Sequence, residues 1–329
     1  MKILVTGSAG HLGEALALTL TLRNEEVVGL DILPSPYTTQ LGSITDRDVV
    51  KSCLVGVDTV FHTATLHKPH VGTHSMQAFI DTNVTGTLNL LQESVAAGVK
   101  RFIFTSTTSV FGDALVPPAG QPAAWITEDV TPVPKNIYGV TKAAAENLCR
   151  LFYRKQGLPC IILRTSRFFP EDDDSKTARS GYANDNLKAN EYLFRRVDIE
   201  DAVSAHWAAA ERAEEIGYGM YIISATTPFR FDDRAALRQD APQVVARRVP
   251  AFGAEYERRG WQMFPEIDRV YVNERARMEL GWQPRHDFKT VLERLKAGDT
   301  VQSPLARQIG VKGYHTRSFS EGPYPVDGA

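Results

Sequence analysis

Lys2-Ile3-Leu4-Val5-Thr6 runs without a break into Gly7-Ser8-Ala9-Gly10-His11-Leu12-Gly13, and apolar residues at helical spacing follow as far as Leu22. The first stretch reads as a buried β-strand and the last as a helix, with a glycine-rich turn between them. Strand, glycine turn and helix N-terminus together make an anion site. Unpaired backbone N–H groups and the helix dipole both point at whatever binds there. Glycine suits positions 7 and 10 because the turn is tight and a pyrophosphate has to approach the backbone, and Gly13 lets the helix pack close to the strand. A second strand, Glu26-Val27-Val28-Gly29-Leu30, ends in Asp31, where a carboxylate is placed to accept hydrogen bonds from an adenosine ribose.

The bulk of the chain narrows the partner class. Its 329 residues are long enough for one large domain and a smaller one. A net charge of -2 with 23% charged residues offers no global attraction for nucleic acid or an acidic membrane, so a small molecule is the expected partner. Cys53, Cys149 and Cys160 form no CxxC pair and read as free thiols of a reducing compartment. Because the chain opens directly on a strand and holds no apolar run of spanning length, a soluble, cytoplasmic protein without a signal peptide is expected.

Strand-like runs continue at Thr59-Val60-Phe61-His62, Arg101-Phe102-Ile103-Phe104-Thr105 and Cys160-Ile161-Ile162-Leu163, separated by helical patterns at 79–97 and 137–156. Near-continuous apolar strands between helices predict an α/β fold, a Rossmann-type doubly wound parallel sheet covered on both faces. Residues 1–165 form its dinucleotide-binding domain, and 197–225 return to it through a helix at 201–215 and a strand at 220–224. A smaller C-terminal substrate-binding subdomain is expected from 166–196 and 226–299, the latter rich in short helices and Pro/Gly breaks. Residues 300–329 read as an extended tail.

Chemistry points to residues just after the strands, since ligands of such sheets bind at the carboxyl ends. With Asn136 as a cap, Tyr138 and Lys142 fall on one face of a helix. A free tyrosine titrates near pH ~10, and bringing it to ~7 takes roughly 4 kcal/mol, which a nearby ammonium is suited to supply. Such a tyrosine takes a proton from an alcohol while its hydride leaves, or returns it in reverse. The strand at 102–104 empties into Thr105-Ser106-Thr107-Thr108-Ser109, hydroxyls able to hold a substrate oxygen toward the phenol. His62, His67, His70 and His74 crowd one loop, but their spacing matches no zinc pattern and no metal is expected. His67 and His70 are instead expected at the substrate mouth.

The chain resembles the extended short-chain dehydrogenase/reductase family, which contains nucleotide-sugar epimerases and dehydratases. The resemblance rests on the segment 6–13, Asp31, His62-Thr63-Ala64-Thr65, Asn83-Val84-Thr85-Gly86-Thr87-Leu88-Asn89, the hydroxyl segment ending Val110-Phe111-Gly112, and Tyr138 with Lys142. Arg196-Val197-Asp198-Ile199-Glu200-Asp201 and Glu279-Leu280-Gly281-Trp282-Gln283-Pro284 continue it in order. It implies that Tyr138 is the general acid/base, that Lys142 binds the nicotinamide ribose and depresses the tyrosine pKa, and that Thr107 is the catalytic hydroxyl. It gives NAD contacts to Gly7, Gly10, His11, Leu12, Gly13, Asp31 and Ile32. Ser43, Ile44, Ala64, Thr65, Asn83, Thr105, Tyr138 and Lys142 complete that set, with Asn83 supporting the active-site backbone. Ile32-Leu33-Pro34 behind Asp31, with no arginine, favours NAD over NADP. A homodimer built from the helices at 79–97 and 137–156 is also implied.

Departures from the family pattern matter as much. Ser43 stands where many relatives carry an adenine-contacting Asp, and Phe111 replaces a frequent tyrosine. Thr108-Ser109 take the place of the Asp-Glu pair that sugar dehydration needs, which argues against that reaction. Thr107, Thr108, His67 and Arg167 are the expected substrate contacts. Around 164–174 the chain looks rather like uronate dehydrogenases, where Arg167 clamps a carboxylate or phosphate through its planar fork; the alternative is an ion pair with Asp172-Asp173-Asp174. The number of residues after Thr226 pulls back toward a larger substrate. Three functions follow: an epimerase acting on a sugar or nucleotide sugar with retained NAD, a net dehydrogenase of a free sugar acid or polyol, and a non-catalytic NAD sensor.

Overall fold

The chain is described by a computed structural model covering residues 1–315 together with Phe319 and Tyr324. Nine strands occur among these residues: β1 (Lys2–Thr6), β2 (Glu26–Asp31), β3 (Gln40–Leu41), β4 (Thr59–His62), β5 (Arg101–Thr107), β6 (Ala124–Ile126), β7 (Cys160–Thr165), β8 (Tyr218–Ile223) and β9 (Arg269–Tyr271). Seven form one parallel sheet in the order β3-β2-β1-β4-β5-β7-β8. Strand order runs outward in opposite senses from β1 and β4, the place where such folds open a crevice for a ligand.

Alternation within the strands explains why both faces are covered. Ile3 and Val5 point to one face and join a core with Leu12 and Leu16 of the His11–Leu22 helix and Ala205 and Ala209 of the Ile199–Ile216 helix. Leu4 points to the other face and packs with Leu90, Leu91 and Cys149. Successive side chains of a strand leave opposite sides, so a strand apolar throughout needs a helical layer on each. The doubly wound sheet expected from the sequence is the one observed.

Local chemistry sets the helix ends. Asn136 accepts from the Gly139 amide (3.1 Å) and Gly157, at φ +70°, terminates the helix, so Ile137–Gln156 falls where the periodicity predicts. The helix expected at 79–97 begins earlier, at Met76, because Ser75 caps it through the Ala78 amide. It also contains a π-helical stretch, Ile80–Thr85, before Gly86–Ala97. The helix expected at 201–215 runs over Ile199–Ile216, started by Asp198, whose carboxylate accepts from the Glu200 amide.

Beyond the sheet, a second core gathers Tyr192, Leu193, Val244, Val245, Phe288 and Leu292. It includes a feature the sequence reading missed, a small parallel sheet of β6 and β9. The stretch after 300 is not simply extended. Ser303 caps and Pro304 opens a helix, Pro304–Ile309, and Asp198 pins its start by accepting from the Ser303 amide and hydroxyl. Residues 316–318, 320–323 and 325–329 of the expected tail lie outside the described residues. No helix among the described residues is long and apolar enough to cross a membrane.

Candidate active site

A groove of about 970 Å³ follows the carboxyl ends of β2, β1, β4, β5 and β7. Its floor at one end is the glycine-rich turn: Gly7, Gly10, His11, Leu12 and Gly13 all line it. The turn is built for close approach. Gly7 sits at φ +73°, and a Cβ on Gly13 would fall 1.9 Å from the Gly7 carbonyl oxygen. No side chain caps the helix that starts at His11, so its first-turn amides are available to an anion. Asp31 is held at the groove wall by the Ala9 and Leu33 amides (2.9 Å each). Ile32, Ser43, Ile44, Ala64 and Thr65 complete this end. Donors, dipole and a buried-edge carboxylate fit a dinucleotide.

At the other end lie Thr105, Thr107, Thr108 and Tyr138, together with His67 and Arg167. Asn83 and Lys142 do not reach the groove wall and act from behind it. From the π-helical stretch, Asn83 donates to the Leu66 carbonyl (2.9 Å), accepts from the Leu66 amide (2.9 Å) and donates to Thr141 (3.0 Å). It thereby ties the loop after β4 to the helix carrying Tyr138. Lys142 Nζ donates to the Thr105 carbonyl (2.5 Å) and lies 4.0 Å over the Phe104 ring.

Burial dominates the titration of this pair. It pushes the Tyr138 phenol up to about 12, and the hydrogen bond with the Thr107 side chain pulls the other way without prevailing. It also pushes the Lys142 ammonium down to about 7, against the attraction of Glu146. The expected depression of the tyrosine by the lysine is therefore not a property of the protein alone. In a dry site each charged form is disfavoured, and Lys142 is hydrogen-bonded to backbone rather than to the phenol.

One group of site residues escaped the sequence reading, and a second was read only as one of two alternatives. The first surrounds Glu171, which is 6% exposed. Its carboxylate meets His11 Nε2 (2.7 Å) and accepts from the Lys312 and Gly313 amides and the Tyr314 hydroxyl. Burial pushes this carboxyl up, but His11 and the amides hold it below its usual range. The His11 side chain thus turns to Glu171, and residues 311–314 are strapped across the groove, which they line. No local spacing signals a contact between positions so far apart.

The second group is ionic. Arg167, the candidate anion clamp, is already engaged by Asp173 (2.5 Å) and Asp174 (3.4 Å), so the ion-pair alternative is the one the fold adopts. Arg195 and Arg196 bind the buried Glu191 (2.7 and 2.8 Å). Burial pushes Glu191 up, but Arg195, Arg167 and Arg196 outweigh it and hold the carboxyl at about 2. A folded-state value below the usual 4.5 means stabilisation that is complete above pH 4.5 and lost as pH falls toward 2. Unfolding free energies measured from pH 6 downward are expected to lose about 3 kcal/mol from this carboxyl over that window. The Glu191→Gln variant is expected to show a flatter profile; an unchanged slope in that variant rules the assignment out.

Comparison with known proteins adds to this geometry. The sequence pattern of the NAD dependent epimerase/dehydratase family matches residues 3–224. A 3 beta-hydroxysteroid dehydrogenase/Delta 5-->4-isomerase of Mycobacterium tuberculosis is 33% identical over 323 residues, 86% of each chain. A UDP-glucose 4-epimerase of Halalkalibacterium halodurans is 30% identical over 328 residues, 89% of this chain and 94% of that one. Other curated relatives are matched over about half of their length, 39%, 49% and 55%. Among solved structures, a short-chain dehydrogenase/reductase superfamily protein from Agrobacterium tumefaciens with bound NAD shares the fold, with a TM-score of 0.65 at 22% identity over 94% of this chain and 97% of that one.

Proposed function

The chain belongs to the NAD-dependent epimerase/dehydratase family, and from that premise we propose that it is an NAD-dependent oxidoreductase acting at a secondary alcohol of a sugar or nucleotide sugar. The observation that carries the reading is the convergence of Tyr138, Thr107 and Thr108 on one end of the groove whose other end is the glycine-rich turn and Asp31. NAD, when bound, supplies the hydride acceptor. In its phenolate form Tyr138 takes the alcohol proton at its phenol oxygen. Thr107, which already accepts from the Ser109 amide (3.1 Å), orients the substrate oxygen toward it. Lys142, 2% exposed, holds its Nζ on the Thr105 carbonyl just behind the reacting end. Asn83 maintains the loop at Leu66 that walls the site.

A net dehydrogenase is the second reading. It is favoured by the 33% identity, over 86% of both chains, with a hydroxysteroid dehydrogenase. The two readings differ in what happens to the cofactor. An epimerase of this kind keeps it through the cycle, whereas a dehydrogenase exchanges it. The test is the NAD(H) content of purified, desalted and then denatured protein. About one equivalent per chain is expected for epimerisation, and an empty protein that is stabilised by added NAD for a dehydrogenase. Protein that arrives empty and whose Tm does not rise with NAD overturns both.

A further inference from the structure

We infer that the substrate end of this groove takes a neutral, nucleotide-free alcohol, one carrying neither a diphosphate nor a carboxylate. The inference rests on the hydride-transfer reading of the same site and narrows its substrate. Three independent observations carry it.

The first is charge. Among the described residues, the Lys and Arg side chains that line the groove each face a carboxylate already. Lys68 pairs with Asp174, Arg167 with Asp173 and Asp174, Arg195 with Glu191, and Arg269 with Asp268. Lys135 at the exposed rim faces Asp113, and Lys312 faces Glu14. Among the described residues that line the groove, a diphosphate or carboxylate meets no cation without a carboxylate partner. Drawing Arg167 or Arg195 to itself would leave Asp173 (6% exposed) or Glu191 (1% exposed) as a buried, less compensated charge.

The second is space. No described residue from 226 to 268 lines the groove. The stretch whose length pointed to a larger substrate satisfies its polar groups internally. Asn186 and Asn190 both donate to the Gln262 carbonyl (2.9 Å each), the Gln262 amide donates to Asn186 (3.0 Å), and the Tyr256 hydroxyl donates to Asn190 (2.7 Å). All six residues from 186 to 191 are buried. What remains is about 970 Å³ for dinucleotide and substrate together, where about 300–1,000 Å³ commonly serves one drug-sized ligand.

The third is the wall itself, which is aromatic. Phe169 adjoins His67 and Phe168 (ring centroids 5.4 and 4.4 Å), and Tyr314, Tyr271 and Tyr324 complete it. Burial holds His67 far below its usual titration range, so this ring is neutral. Aromatic faces pack on the C–H faces of a saturated ring and leave orientation to a few hydroxyls, here Thr107 and Thr108. A free sugar or polyol and a hydroxysteroid share that chemistry.

The experiment uses the full chain at saturating NAD, with D-glucose, myo-inositol and dehydroepiandrosterone as neutral probes and glucuronate and UDP-glucose as charged ones. The neutral class is expected to exceed the charged class in kcat/KM by at least tenfold, with the better neutral probe separating polyol from steroid. A preference for glucuronate or UDP-glucose overturns the inference. Binding is read separately as the Tm of NAD-loaded Tyr138→Phe protein with millimolar UDP or glucuronate, a readout that does not depend on turnover. No rise is expected, and a rise overturns the inference whether or not the hydride-transfer reading stands. Asp174→Asn, which unpairs Lys68 and loosens Arg167, is expected to create a UDP-dependent rise; a variant that still ignores UDP shows that charge pairing is not what excludes it and overturns the electrostatic part.

Discussion

Tyr138→Phe is expected to lower kcat by two to four orders of magnitude while leaving NAD affinity within a few-fold of the parent. The range is that of a positioned general acid/base. The phenol is 8% exposed, so the ring keeps its packing when only the hydroxyl goes. The helix that carries it is untouched, since its cap is Asn136 and its stop is Gly157. What is removed is one proton site. Because burial holds that phenol at about 12 and the Lys142 ammonium at about 7 in the protein alone, the phenol is fully protonated at neutral pH until ligands change its surroundings. The parent's kcat for alcohol oxidation is therefore expected to rise with pH, and the residual rate of the variant to lose that dependence. A variant within tenfold of the parent contradicts the role given to Tyr138. Retained biological activity without turnover then favours the NAD-sensing alternative.

How much of this was legible beforehand depends on the range of the interaction. The strand, turn and helix at 2–22 are specified by neighbours in sequence: alternating burial, glycines where a Cβ cannot fit, and a strand ending in Asp31. The helix at 137–156 is equally local, with a cap at one end and a left-handed glycine at the other. Legibility fails where the partner is distant. Ser75 could have moved the start of the preceding helix, but the π-helical stretch at 80–85 exists to bring Asn83 to Leu66 and Thr141, and no single-helix periodicity encodes that. Glu171 meeting His11 and the strap at 312–314 is a three-segment contact. Arg167 offers two chemistries from sequence, and only the folded position of Asp173 and Asp174 decides between them. The small sheet of β6 and β9 has strands too short to carry a pattern.

The largest stability effect is expected behind the site, at Glu146 and Arg164. Glu146→Ala is expected to destabilise the protein by about 3–5 kcal/mol, the usual cost of breaking a buried ion pair from one side. The two side chains are 5% and 3% exposed. Glu146 accepts from Arg164 Nε (3.0 Å) and NH2 (2.7 Å) and from the Ser106 hydroxyl (2.6 Å). Arg164 has little else to turn to: its NH1 already lacks a hydrogen-bond partner, and its guanidinium rests 4.8 Å from the Phe111 ring. Removing the carboxylate leaves that cation uncompensated between β7 and the Ile137–Gln156 helix. It also withdraws the attraction that supports the Lys142 ammonium, so Lys142 should titrate still lower and its charge be lost at a lower pH. The double variant Glu146→Leu/Arg164→Met is expected to recover most of the stability, because an apolar pair of similar volume no longer bears a desolvation cost. It should not recover the pH profile of catalysis, since the attraction acting on Lys142 is still missing. Urea midpoints on the three proteins separate these terms. If Glu146→Ala loses under 1 kcal/mol, the pair is a bystander. If the double variant is no more stable than the single one, the loss comes from packing around Ser106 rather than from an orphaned charge.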